Sequence, residues 1–394
     1  MSEASGHCVK GGEPEAVTFS KLLRYFLGLG TWGFGGPIAT VGYMQRDLVE
    51  KRRWLDRSDF LNGVALGQTM PGPLAAQVVM WVGYLQAGAL GALATSTLFI
   101  LPSFLLVLSV AVVYVHFQGL SVVEALFYGI APAVMAIIAF AAVKLARLTD
   151  AKDVRLWAIS AITLVVTAVT GAEIALLFVV AGLVMMVWEA PPKFLNRSSP
   201  GVLLASPVAH GLFFLTASGG TLVALALFFL KAGAFIFGSG LAVVPFLREG
   251  VVVQHHWLTD RQFLDAVAMG LITPGPVVIT ACFIGYVVGG FAGAAVATVA
   301  IFLPIYAGVV IPGRWFIRHQ NNPRVQGFVK GATAAAAGAI GGATIVLTRG
   351  AVVDWETAAI VAAAALFVWR FKNKEPLLVV LAGVAGLLLF PISH

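Results

Sequence analysis

The sequence predicts an all-α polytopic membrane protein built from two inverted-topology repeats of about six hydrophobic segments each. Three observations lead there. The 394-residue chain is 59% hydrophobic and only 11% charged, with a mean hydropathy of +0.93. A water-facing surface needs nearer a quarter of its residues charged, so this composition belongs in a bilayer. The chain also matches itself at a displacement of 203 positions. Finally, each copy interrupts an apolar segment with Pro-Gly-Pro, in "GQTMPGP" at 67–73 and "GLITPGP" at 270–276.

The self-match rests on residue types that shared hydrophobicity does not align by itself. Phe34-Gly35 falls on Phe237-Gly238, Trp54-Leu55 on Trp257-Leu258, and Pro71-Gly72-Pro73 on Pro274-Gly275-Pro276. After a one-residue gap, Gly83-Tyr84 falls on Gly285-Tyr286, Gly91 on Gly293 and Pro102 on Pro304. The predicted organisation is a polar tail at 1–18, a first repeat at 19–190, a linker at 191–218 and a second repeat at 219–394. The linker begins with "PPKFLNRSSP"; residues 201–217 read either as a surface helix or as an extra span.

Apolar segments in the first repeat fall at 20–44, 60–90, 91–114, 121–144, 155–170 and 173–189. Those of the second fall at 219–246, 263–289, 290–312, 327–348, 355–370 and 377–391. Charge on the loops sets their sides. Loop 45–59 carries Arg46, Lys51, Arg52, Arg53 and Arg57, whereas its counterpart 248–265 has only Arg248 and Arg261, against Glu249, Asp260 and Asp265. The basic loop of the second repeat is instead 313–330. Basic loops face the cytoplasm, so equivalent loops are expected on opposite sides, as in inverted-repeat transporters.

Proline removes a backbone donor and stops a helix from running smoothly through it. The arms flanking each Pro-Gly-Pro would be roughly 16–20 Å long, short of about 30 Å of hydrocarbon. Each broken segment is therefore expected to be re-entrant, the two tips meeting near the midplane; the alternative is a kinked full span. A helix starting after such a break presents free N–H groups, an anion site needing no special side chain. The candidate substrate-binding residues are Gly35, Gly36, Gln68, Pro71, Gly72, Pro73 and Gln77 in the first repeat. In the second they are Gly238, Ser239, Gly240, Thr273, Pro274, Gly275, Pro276 and Thr280, joined by Lys231, a lone cation in "LFFLKAGAF".

Each of these has a plainer reading. The Gly-rich stretches 30–37 and 233–240 would also serve close helix packing, and Lys231 would also snorkel to an interface. Glu124 and Glu173 are either proton carriers or solvated loop acids. If segment 20–44 spans once, both termini lie outside; if its break makes it re-entrant, the N-terminus moves inside and 201–217 must cross. Cys8 and Cys282 support neither a disulfide framework nor a metal site. His255-His256 lacks a third ligand in the sequence, and no HExxH, GxSxG or GK[ST] motif occurs. No cofactor and no catalytic residue is expected. The first eighteen residues contain no apolar core of a signal peptide.

The segments "FGGPIATVGYMQRDLVEKRRWLD", "GQTMPGPLAAQVVMWVGY" and "LPSF" resemble the first domain of the chromate ion transporter family. "FGSGLAVVPFL" and "HHWLTDRQFLDAVAMGLITPGPVVITACFIGY" resemble the second domain of its long-chain members, so the likeness runs from about Phe19 to the C-terminus. FGGP in the first copy stands as FGSG in the second. The resemblance implies an inner-membrane exporter of chromate that confers chromate resistance and draws on the proton motive force. Chromate or sulfate, protons, the bilayer and a second copy of the chain are the partners considered, and the net charge of +7 is ascribed to topology rather than nucleic acid. The other readings are a sulfate or related oxyanion transporter, and a membrane-embedded enzyme or scaffold.

Overall fold

The computed structural model describes residues 17–33, 36–117, 121–150, 153–170, 175–190, 220–236, 240, 243–313, 315, 322–371 and 375–393. Among these the secondary structure is entirely helical. The first repeat comprises α1 (Phe19–Trp32), α2 (Gly36–Met44), α3 (Arg57–Thr69), α4 (Leu74–His116), α5 (Ser121–Asp150), α6 (Val154–Thr170) and α7 (Ala175–Glu189). The second comprises α8 (Thr221–Ala234), α9 (Val243–Arg248), α10 (Asp260–Ile272), α11 (Thr280–Val310), α12 (Pro323–Ala351), α13 (Trp355–Arg370) and α14 (Glu375–Ser393). Both α4 and α5, and both α11 and α12, are long and apolar enough to cross a membrane, and the protein is a multi-pass membrane protein.

The duplication read from the sequence is carried into backbone geometry. A π-helical turn follows α2 (Gln45–Lys51) and another follows α9 (Glu249–Gln254). Each is closed by a residue in the left-handed region, Arg53 and His256, both at φ 51°. The N–H of Trp54 then donates to Leu48 O and that of Trp257 to Val251 O, each at 2.8 Å. Equivalent residues thus solve the same local problem in the same way.

Between α3 and α4 the chain reverses at Met70–Pro73. The indole of Trp81 donates to Asp59 O at 2.9 Å, and Gly63 lies beneath the Trp81 ring. Along a straight helix, residues 59 and 81 would be about 33 Å apart, so α3 and the start of α4 form an antiparallel hairpin. A second reversal follows inside α4, where Ala87 (φ −144°, ψ 28°) and Gly88 (φ 62°, ψ −150°) leave helical geometry. Beyond it, Thr95 Oγ1 donates to Val79 O at 3.1 Å, and Gly83 packs on the Gly91 backbone. The second repeat copies this turn at Gly289 (φ −143°, ψ 24°) and Gly290 (φ 60°, ψ −149°), with Gly285 on Gly293. Only glycine tolerates the backbone at Gly88 and Gly290 without strain.

Packing crosses between the repeats. α12 lies against α6 and α7 of the first repeat, and α5 lies against α13 and α14 of the second. The exchange is reciprocal: Gly129 of α5 sits on the Ala382 carbonyl of α14, and its equivalent Gly331 of α12 on the Ala181 carbonyl of α7. Absent side chains let these backbones touch, which is how helices associate where lipid supplies no hydrophobic drive. On α12, Ser160 meets Gly338 and Leu164 meets Gly342, so α6 runs with α12, while Met185 on Gly327 and Ala181 on Gly331 make α7 run against it. α4 and α11 pack on each other, with α1 on α4 and α8 on α11. The expected linker and segment 201–217 lie outside the described residues.

Glycine substitutions separate these roles. Gly88→Ala meets no neighbouring atom within 4 Å, yet its backbone strain should cost about 1–3 kcal/mol. Gly350→Ala, also free of neighbours within 4 Å but helical, should be neutral or stabilise by up to about 1 kcal/mol. Gly129→Leu should lower the detergent melting temperature most, because the Ala382 carbonyl occupies the space its side chain needs.

Candidate functional site at the two Pro-Gly-Pro turns

Gly72, in the first turn, adopts φ 141°, and Gly275, in the second, φ 105°. Neither tip is turned to open space. A Cβ on Gly72 would meet Ile305 of α11 at 2.8 Å and the Gln77 amide at 2.9 Å, while Gly275 is held against Ser103 of α4. Ile305 and Ser103 occupy equivalent positions, so each tip rests on the long arm of the other repeat. The Gly72 N–H donates to Ile236 O at 2.6 Å, and the Ser103 hydroxyl donates to Pro274 O. Gly240 completes the convergence: a Cβ there would lie 3.7 Å from both Pro73 and Val277. Residues of both turns and of the break after α8 therefore meet in one place.

The polar groups at this junction are mostly engaged. Gln77, fully buried, donates from Nε2 to Met70 O at 3.2 Å and Pro71 O at 2.9 Å, acting as a strut across the turn. Its Oε1 has no partner among the described residues. At the equivalent position, Thr280 donates its hydroxyl to Val277 O at 2.8 Å, and Thr273 reaches Gly270 O at 3.4 Å. Pro73 stands at the N-cap position of α4, and Pro276 at that of the short turn Val277–Ile279 that leads into α11. Neither proline provides a side-chain cap. Leu74, Ala75 and Ala76 thus open α4 with N–H groups that the helix itself cannot satisfy, and Ala75 and Ala76 are buried.

Other expected site residues lie elsewhere or outside the described residues. Gln68 is exposed on α3. Lys231 is exposed on α8, its ammonium 5.7 Å from the Phe246 ring centroid. Gly36 opens α2 beside the break that follows α1. Gly35, Gly238 and Ser239 are outside the described residues.

A larger feature was not expected. A cavity of about 800 Å³ opens between α1 and the π-helical turn after α2, rimmed by Lys21, Arg24, Arg46 and Arg52. Tyr25, Tyr43 and Trp54 line its walls. Arg52 lies over both Tyr25 (5.1 Å) and Trp54 (4.7 Å), which requires the chain to reverse between α1 and α2. Asp47, the one acid in the lining among the described residues, is paired with Arg46 at 3.1 Å. At the mouth of α3, the Ser58 hydroxyl and Arg57 N–H hold the Asp56 carboxyl below the usual carboxylate range. The equivalent place in the second repeat has a different lining: Lys21, Arg24, Arg46 and Arg52 correspond to Ala224, Leu227, Glu249 and His255. Phe228 stacks on Phe246 at 5.6 Å, meets Trp257 edge-on and packs onto Gly250, the counterpart of Asp47. Burial in that cluster pushes the His255 imidazole down from its ordinary pKa. One repeat thus presents a cavity lined by cations and the other an aromatic cluster around Phe228, the counterpart of Tyr25.

Comparison with known proteins fits this doubled design. The chromate transporter family model matches residues 20–187 and 223–387, one segment in each repeat. The chain belongs to the chromate transporter family. It is 46% identical to a chromate transport protein of Cupriavidus metallidurans over 380 residues, covering 96% of this chain and 94% of that protein. It is 45% identical to a probable chromate transport protein of Synechococcus elongatus (95% and 96% covered) and 31% identical to a chromate transport protein of Pseudomonas aeruginosa (96% and 94%). No solved structure matches. These names describe transporters, not enzymes.

Within this member of the chromate transporter family, four residues of the junction and vestibule are not among the candidates expected from sequence. Ser103 follows Pro102, one of the matched prolines, and was a visible signal. Ile236 acts through its carbonyl, which no side-chain pattern reports. Lys21 and Arg24 stand one helical turn apart at the start of an apolar segment, with no local motif that marks them as a site. Gly240 offers a graded test of the junction. Gly240→Ala has room and should retain transport, whereas Gly240→Phe should wedge the turns apart and abolish flux at unchanged membrane expression. Transport assays on matched protein amounts check both.

Proposed function

We propose that the chain is a secondary transporter that exports chromate from the cytoplasm across the bacterial inner membrane, driven by the proton motive force and conferring chromate resistance. The observation that carries this reading is the vestibule whose cations Lys21, Arg24, Arg46 and Arg52 have no Lys or Arg counterparts in the second repeat, in a protein whose two broken turns share one junction. Loop 45–59, with its five basic residues, forms part of the vestibule rim, and basic loops favour the cytoplasmic side. A cleft lined by one sign of charge concentrates its counterion, so cytoplasmic dianions would gather there. Two negative charges leaving an inside-negative cell gain about 4–5 kcal/mol per 100 mV.

Packing supports an inverted relation between the repeats. The α5–α6 connection is short, with Ser160 Oγ 2.7 Å from Asp150 Oδ2, so α6 runs against α5. Yet α6 runs with α12, the equivalent of α5. Equivalent helices then point in opposite directions, the arrangement that lets one site face each side in turn. The hairpin arms support re-entrance: α3 and the first arm of α4 (residues 74–86) are each about 20 Å long, too short to cross. The reversal after α1 supports the N-terminus lying inside. Substrate would pass from the vestibule to the uncapped N-termini at the junction, where backbone N–H groups suit a tetrahedral oxyanion. The Gly72 N–H, now held by Ile236 O, is released when the turns separate.

Radiolabelled chromate uptake into everted vesicles tests the assignment, run with and without excess sulfate. Uptake should occur, and Pro71→Ala with Pro274→Ala should abolish it. Uptake surviving that double change would sink the junction as the site, and sulfate uptake exceeding chromate uptake would reassign the ion. Arg24→Gln with Arg52→Gln should raise KM on the order of tenfold, with weaker salt dependence and little change in maximal rate. An unchanged KM would remove the vestibule from the pathway.

A further inference from the structure

We propose that Asp265 is the carboxyl that takes up and releases the proton in the transport cycle. The proposal rests on the transport reading above and adds the group through which coupling would run. Asp265 lies in α10 at only 2% exposure. Its Oδ2 accepts the Tyr114 hydroxyl of α4 at 2.8 Å, while Oδ1 has no hydrogen-bond partner among the described residues. Buried ionisable groups in membrane proteins are costly to keep, and proton relays are among their uses.

The surroundings make Asp265 reachable. A cavity of about 200 Å³ stands over it, walled by Tyr114, Glu124, Phe127 and Arg261. That volume has room for several waters, and its walls come from the C-terminal end of α4 and the N-terminal ends of α5 and α10. Tyr114 is fixed between the rings of Phe127 (5.6 Å) and Phe283 (5.1 Å). Arg261 spans the opening, directing an N–H to Glu124 O at 3.3 Å. The charged or titratable groups facing Asp265 are thus Tyr114 from α4, Glu124 from α5 and Arg261 from α10; α11 contributes the Phe283 ring. A proton would reach Asp265 from this cavity, past Glu124.

The duplication supplies an independent argument. Asp265 corresponds to Asn62 in the first repeat, and Glu124 corresponds to Gln326 in the second. Both acids meet at one cavity, and both counterparts are the amides of the same shape. A merely structural need for a polar side chain would be met by either form. Only an acid carries a proton, and the repeat that forms the basic vestibule has the amide in place of Asp265. Under the inverted arrangement, this cavity faces the side opposite the vestibule, where a proton would arrive as the oxyanion leaves.

Purified protein in liposomes, loaded with chromate, distinguishes the possibilities by two readouts. One is accumulation of labelled chromate under an imposed pH gradient. The other is exchange of labelled for unlabelled chromate at uniform pH, which needs no net proton movement. Asp265→Asn should cut gradient-driven accumulation on the order of tenfold or more and leave exchange within about twofold, with a flattened pH profile. Asp265→Glu should recover part of the accumulation, and Tyr114→Phe should displace the pH profile. Full accumulation in Asp265→Asn would overturn the proposal. So would the loss of both readouts in a monodisperse variant, which would make Asp265 a structural residue. If the unmodified protein neither accumulates nor exchanges chromate, the transport reading itself fails and this proposal falls with it.

Discussion

The structure depends on one constraint: a helix broken among apolar surroundings must find partners for the backbone groups it frees. Here Gln77 serves Met70 O and Pro71 O from within the same repeat, and further partners come from the other repeat. The Gly72 N–H is satisfied by Ile236 O, and Pro274 O by the Ser103 hydroxyl. Each Pro-Gly-Pro turn therefore leans on a hydrogen bond from the opposite repeat, and separating the halves would expose unpaired backbone. The interlocked helices express the same dependence at larger scale, with Gly129 on α14 and Gly331 on α7.

That mutual support gives the junction two properties a transporter needs. It closes the centre of the protein with only a few hydrogen bonds, each worth about 1 kcal/mol net, so opening is not prohibitive. It also keeps the vestibule's charges away from the turns: the basic side chains Lys21, Arg24, Arg46 and Arg52 line that cavity instead.

Near-symmetric backbones carry asymmetric chemistry. The turn at Ala87–Gly88 and the turn at Gly289–Gly290 differ by a few degrees, yet the vestibule cations Lys21, Arg24, Arg46 and Arg52 stand as Ala224, Leu227, Glu249 and His255 in the other repeat. Duplication preserves the elements that build the scaffold, because glycine contacts and turn geometry allow little variation. Side chains facing cavities are free to diverge, as the vestibule lining does.

Much of this was legible in the chain itself. Composition dictated a membrane protein, because so few charges cannot cover a water-facing surface. The displaced match exposed the duplication, and Pro-Gly-Pro located both breaks to the residue, since proline chemistry is local. The partners of those breaks were not legible. Ile236 contributes a carbonyl, Ser103 lies 171 residues from Pro274, and Lys21 and Arg24 become a vestibule only when the chain folds back on them. Whether Gln77 offers donors or spends them on Met70 and Pro71 is likewise a matter of distance in space. Sequence by itself determined where the helices must fail. Tertiary structure decided what repairs each failure, because a hydrogen bond is made by proximity and long-range proximity is not written in local residue order.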